Sequence, residues 1–141
     1  MKGVTNMETI LHNLNFSNTI MDTLNIEITK YTPQEVKAAM PVTSKTHQPF
    51  GKMHGGASLV LAETVASAGS YLFIDKTCQH AVGLEINANH LRSQKDGIVE
   101  AVGIPLHVGK RTLVWDVRIY NEENKLVCIS RCTIAVIDKN E

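Results

Sequence analysis

Residues 55–74, GGASLVLAETVASAGSYLFI, form a stretch that is apolar almost all the way round a helix and holds one charged side chain, Glu63. A helix apolar on every side belongs inside its domain rather than on a surface. At roughly 30 Å, it matches the length of a strand of about nine residues. Any sheet in the chain is therefore expected to wrap around it.

The rest of the chain supplies that sheet. Residues 81–92, 99–107, 112–120 and 126–137 read as strands. They are separated by Lys95-Asp96-Gly97, Val108-Gly109-Lys110 and Asn121-Glu122-Glu123-Asn124, which read as tight turns. Two further strands are expected over residues 24–29 and 36–42. The segment 1–20 reads as helical, with Met7, Ile10, Leu11 and Leu14 at amphipathic spacing. Consecutive strands with short turns make an antiparallel meander, and one sheet covering one buried helix is an α+β architecture. At 141 residues the chain is expected to form one domain, residues 1–141.

Composition excludes several functions. Lys plus Arg and Asp plus Glu number 14 each, so there is none of the basic surplus of a nucleic-acid binder. No run approaches the roughly 18 apolar residues that span a bilayer, and residues 1–16 lack the pattern of a signal peptide. The cytoplasm is the expected compartment. The three cysteines include no Cys-x-x-Cys pair, and the six histidines are scattered, so no metal site is expected. Cys128 and Cys132, on one face of a strand, would lie about 13 Å apart, too far to bridge.

The helix carries the chemistry-bearing pattern. Its start, Met53-His54-Gly55-Gly56-Ala57, offers no Ser, Thr, Asp or Asn cap for the first N–H groups. Either another segment or water satisfies them, or they and the positive dipole end meet a ligand oxygen; adjacent glycines, which admit close approach, favour the second. Glu63 needs a partner or a function, because an isolated buried carboxylate costs several kcal/mol. Glu63, Ser67 and Ser70 fall at i, i+4 and i+7, with Gly56 aligned two turns earlier, as one wall of a cavity would. Met53 and Phe50 read as core or pocket lining. On the strand after the helix, Glu85, Asn87 and Asn89 share one face, and Ile86, Ala88, His90 and Arg92 the other. Lys110-Arg111 at a hairpin tip is either a solvated pair or a site for phosphates.

Three motifs together resemble the hotdog-fold acyl-CoA thioesterases: Gln48-Pro49-Phe50-Gly51; His54-Gly55-Gly56-Ala57-Ser58 with Glu63 nine residues after the histidine; and Gly83-Leu84-Glu85-Ile86-Asn87-Ala88-Asn89-His90. Within them the likeness is to the aryl-CoA branch, which includes the 4-hydroxybenzoyl-CoA and 1,4-dihydroxy-2-naphthoyl-CoA thioesterases, the latter of menaquinone synthesis. It runs from about Leu24 to the C-terminus.

The resemblance implies a curved antiparallel sheet around the helix, paired into homodimers with shared active sites and usually into homotetramers. By position, Glu63 matches the catalytic carboxylate and Gly55 the backbone donor to the thioester oxygen. Gln48 and His54 match the groups that assist there, and Ser67 the hydroxyl that positions water. His90, Arg92, Gly109, Lys110 and Arg111 fall where relatives meet the acyl group, pantetheine or nucleotide phosphates.

The chemistry agrees with the reading of the helix. A helix N-terminal N–H is a preorganised donor for the charge that develops on a thioester oxygen. Glu63 then attacks to form an anhydride, or activates water as general base. Thiolate leaves readily, so no cofactor is expected, and coenzyme A enters as part of the substrate. Two alternatives keep the fold: a non-catalytic acyl-CoA sensor, which would not need Glu63, and a hydroxyacyl-thioester dehydratase, which typically pairs a His with an acidic residue.

Overall fold

The computed structural model of the chain describes residues 14–140. A short helix, α1 (Ile20–Thr23), leads into β1 (Glu27–Tyr31) and β2 (Val36–Pro41). The long helix α2 (Gly55–Ser70) closes on a single 3₁₀ turn, Tyr71–Phe73. Then follow β3 (Gln79–His90), β4 (Ile98–Val108), β5 (Thr112–Tyr120) and β6 (Leu126–Asp138). They form one six-stranded antiparallel sheet in the order β1-β2-β4-β5-β6-β3. The expected α+β arrangement, a curved sheet around one long helix, is what the structure shows.

Register shifts at Ile28/Lys30, Gly83/Glu85, Pro105/His107 and Ile119/Tyr120 bend the strands. The bent sheet holds α2 against β2 through β6. Small residues bring helix and sheet close. A side-chain carbon at Gly69 would overlap the Trp115 indole, and one at Gly103 would overlap Val65. Leu61, Val65, Val99, Leu113, Trp115 and Ile134 are fully or almost fully buried in this interface, each worth roughly 1.5–3 kcal/mol of transfer free energy.

Several expectations need correction. Helix α2 ends at Ser70, not residue 74, because its last turn tightens to 3₁₀, with the Tyr71 N–H donating to the carbonyls of Gly69 and Ser67. The strand expected over residues 24–29 begins only at Glu27: Asn25 sits at φ 53°, outside strand geometry. Nor is α2 buried all round. Val60, Glu63, Thr64 and Ser67 are only half-buried, so one face of the helix is left uncovered by its own sheet. Phe50 is not core but 87% exposed, at the tip of a turn where Gly51 has φ 74°. The helix expected around Met7 lies almost wholly outside the described residues.

Candidate active site

The start of α2 is held from the loop before it. The His54 N–H donates to the Thr46 carbonyl at 2.7 Å, the Met53 N–H to that of Gln94 at 2.7 Å, and His47 bridges to Met53. A cap is present after all: His54 Nδ1 accepts from the Gly56 N–H at 2.8 Å. Histidine is not among the usual cap residues, so this cap is not legible in the sequence alone. The Gly55 N–H takes no acceptor among the described residues and stays at the positive end of the helix dipole. The His90 imidazole lies against Gly55; a side-chain carbon there would fall 2.7 Å from its Nε2. Gln48 is turned to its own loop, its Oε1 accepting from the Phe50 N–H and its N–H donating to the Lys52 carbonyl at 2.7 Å.

Eight residues further on, about 12 Å along the axis, Glu63 faces a cavity of about 550 Å³. It makes no salt bridge or side-chain hydrogen bond among the described residues, so the ion-pair reading of this carboxylate fails there. Its carboxylate packs on Gly83 of β3, at a position that any side chain on residue 83 would occupy. Behind it, burial first and then the charges of Glu63 and Glu85 push the Cys132 thiol up to about 12. Ser67, one turn beyond Glu63, lines the same cavity. Ser70 does not: it is buried in the core, where its hydroxyl accepts from Trp115 Nε1 at 2.8 Å. A buried indole N–H needs an acceptor, and that need turns the third member of the expected stripe inward.

The basic residues do not converge within one chain. His90 and Arg92 lie at the end of β3. Lys110 borders a hollow with Gln79, at the start of the same strand, and the two ends are roughly 30–35 Å apart. Gly109 donates to the Thr112 carbonyl at 2.9 Å, and the Arg111 carbonyl accepts from Val136 at 2.8 Å, leaving both cationic side chains exposed. Among the described residues no three His, Cys, Asp or Glu side chains converge as metal ligands. No helix there is long and apolar enough to cross a membrane.

Two features went unread in the sequence. One is Gly83, a glycine inside a strand, which signals a bulge or a close approach; both are present here. The other is the segment at residues 14–21, which lines the Glu63 cavity through Leu14, Phe16, Ile20 and Met21.

A helix N–H without an acceptor and a carboxylate opening on a cavity are the two tools of acyl-transfer hydrolysis, and the relatives of this chain put them in a class. Residues 50–128 match the model of the thioesterase superfamily, and the chain belongs to that family. It is a hotdog-fold thioester hydrolase. Among its relatives, ComA2 of Bacillus subtilis is 52% identical over 126 residues, covering 89% of this chain and 100% of that one. The 1,4-dihydroxy-2-naphthoyl-CoA hydrolase of Listeria monocytogenes is 47% identical over 122 residues, covering 86% of this chain and 98% of that one. The crystal structure of a mutant thioesterase from Pseudomonas aeruginosa superposes with a TM-score of 0.88 at 42% identity, covering 97% of both chains.

Proposed function

We propose that the chain hydrolyses aromatic acyl-CoA thioesters, 1,4-dihydroxy-2-naphthoyl-CoA among them, through Glu63, at a site shared by two subunits of a homodimer. One observation carries the reading: Glu63 is a half-buried carboxylate at a cavity wall, unpaired among the described residues and seated on Gly83 with Ser67 one turn beyond. The acyl group in the name of the Listeria relative supports the substrate. Glu63 attacks the carbonyl carbon or deprotonates a water that does, and Ser67 holds that water. The Gly55 N–H donates to the oxygen, with His54 and Gln48 shaping its surroundings. His90 borders the pantetheine path, and Arg92, Lys110 and Arg111, with Gly109 at the turn, meet the phosphates. Thiolate departure requires no cofactor. The cytoplasm is the compartment of this reading.

The shared site follows from distance. A carboxylate within about 3–3.5 Å of a carbonyl carbon and a donor near 3 Å from its oxygen must converge, and Gly55 and Glu63 are about 12 Å apart on one helix. Strand β3 has one edge unpaired among the described residues, with Leu84 64% exposed and Val82 41%. It also touches both tools, His90 lying on Gly55 and Gly83 under Glu63. A second copy added along that edge by a two-fold axis would bring its own Gly55 towards Glu63. Two such dimers make the homotetramer expected of the branch.

Glu63→Gln keeps volume and hydrogen bonding but removes the base, and kcat is expected to fall about 10²–10⁴-fold with the melting temperature unchanged. Near-native kcat on the best aryl-CoA would refute the assignment. For the shared site, Glu63→Gln chains are refolded with chains damaged at Gln48 and His54. Recovered activity is expected, because each mixed dimer holds one intact site. Heterodimers as inactive as either parent would mean that both groups act within one subunit.

A further inference from the structure

The cavity beside Glu63 has an inner wall on α2, formed by Val60, Glu63, Thr64 and Ser67, and an outer wall from the segment before β1. That segment is a built element. Asn18 reverses the chain at φ 58°, a conformation that Asn tolerates. Thr19 Oγ1 donates to the Phe16 carbonyl at 2.5 Å and accepts from the Asp22 N–H, capping α1. The Asn18 N–H donates to Asp22 Oδ2 at 3.2 Å, and the Ile26 N–H to the Met21 carbonyl at 2.8 Å. Met21 and Leu24 pack on the core, while Ile20 remains 56% exposed. The base of the segment is thus anchored, and Phe16 and Ile20 are held over the cavity.

We infer that Phe16 and Ile20 form a roof that selects the acyl group. Resting on the assignment of Glu63 as the reacting carboxylate, the inference is that an apolar acyl group larger than acetyl lies along α2 beneath them, from Glu63 towards Tyr71. The cavity is bounded at that far end by Ala68 and Tyr71, about 7.5 and about 12 Å from Glu63 along the helix. Its volume lies within the roughly 300–1,000 Å³ of ligand pockets. Among the described residues the only carboxylate on its walls is Glu63, and most other lining groups are apolar. Coenzyme A itself is common to every substrate, so discrimination must come from surfaces that touch the acyl part. Phe16 and Ile20 are such surfaces, and neither belongs to the buried core.

The test is affinity for a series of non-hydrolysable CoA thioethers, S-ethyl, S-butyl, S-hexyl and S-octyl, by titration calorimetry. Thiol release from the matching thioesters is measured alongside. Wild-type affinity is expected to rise along the series by up to about fourfold per methylene. Ile20→Trp, which fills the cavity, should weaken S-octyl-CoA at least tenfold and leave S-ethyl-CoA within twofold. Phe16→Ala, which removes part of the roof, should flatten the rise. Should Ile20→Trp fail to fold, Ile20→Ala is expected to lose affinity selectively for the longer chains. Affinity independent of chain length in the wild type, or equal losses for all four ligands in the variants, overturns the roof. Length-dependent binding without thiol release from any thioester would instead sink the hydrolytic role of Glu63 and leave the roof standing.

Discussion

On one face of α2, Leu61, Ala62, Val65 and Ala66 are fully buried against the sheet; on the other, Val60, Glu63, Thr64 and Ser67 are half-buried beside open space. The inner face is wholly apolar, the outer face carries three of the helix's polar side chains, and their surroundings differ to match. The inner face meets Gly103, Trp115 and the strands, where any added atom would collide. The outer face meets the cavity and the Phe16–Ile20 roof, with room for a ligand. Stability and chemistry are therefore carried by opposite sides of one helix, and the Glu63–Ser67 stripe marks the side left to chemistry. The carboxylate sits on the side the fold does not finish burying, where keeping it charged costs least.

The sharpest way to break this division is to damage the inner face alone. Leu61 is fully buried, so Leu61→Ala should cost about 2–5 kcal/mol of stability through lost transfer energy and a residual cavity. Activity per folded molecule should stay within about twofold, read from kcat well below the new melting temperature. A large fall in kcat without loss of stability would show that the two faces are coupled.

Gly83 tests the outer face. An added methyl there would occupy the place of the Glu63 carboxylate, which must then rotate away. A displacement of about 1 Å in a reacting group can cost about 10²-fold, and Gly83→Ala is expected to lower kcat by that order. KM for acyl-CoA and the melting temperature should change little, since the added methyl meets only the Glu63 side chain. Unaltered kcat would mean that the position of Glu63 is not set by β3.

What the sequence made legible follows the same division. The inner face and the meander obey local rules, namely helical and strand periodicity and turn residues. Thr112–Tyr120 has the bounds that periodicity implies, and the other meander strands shift by no more than two residues at either end. The outer face depends on what arrives from elsewhere. Ser70 fitted the polar stripe, but its partner Trp115 lies 45 residues away and turns it into the core. The segment over the cavity reads as part of a helix over residues 1–20, but residues 14–19 are not helical: Asn18 and Asn25 take left-handed backbone conformations on either side of a four-residue helix, Ile20–Thr23. Glu63 stood out only because a lone charge in an apolar helix needs a reason.

The smallest expected effect decides which end of the outer face receives the coenzyme A phosphates. Lys110 lies at the end nearest the C-terminus of α2, beside Phe73 and Ile74, whereas His90 packs on Gly55 at its N-terminus with Arg92 close by in sequence. The two sets are too far apart to hold the same phosphates within one chain. Exposed charges contribute little individually, so Lys110→Ala combined with Arg111→Ala should raise KM by about 2–30-fold. The rise should be equal for every acyl group, with kcat unchanged, because uniform binding is lost rather than transition-state stabilisation. It should shrink as salt is added, because exposed charges are screened within roughly 8–10 Å near physiological ionic strength. Arg92→Ala, measured in parallel, should show the same signature only if a second subunit brings the opposite ends of two β3 strands to one nucleotide. If Arg92→Ala alone raises KM and the double variant does not, the phosphates belong at the Gly55 end of the helix and the hairpin tip is a solvated pair.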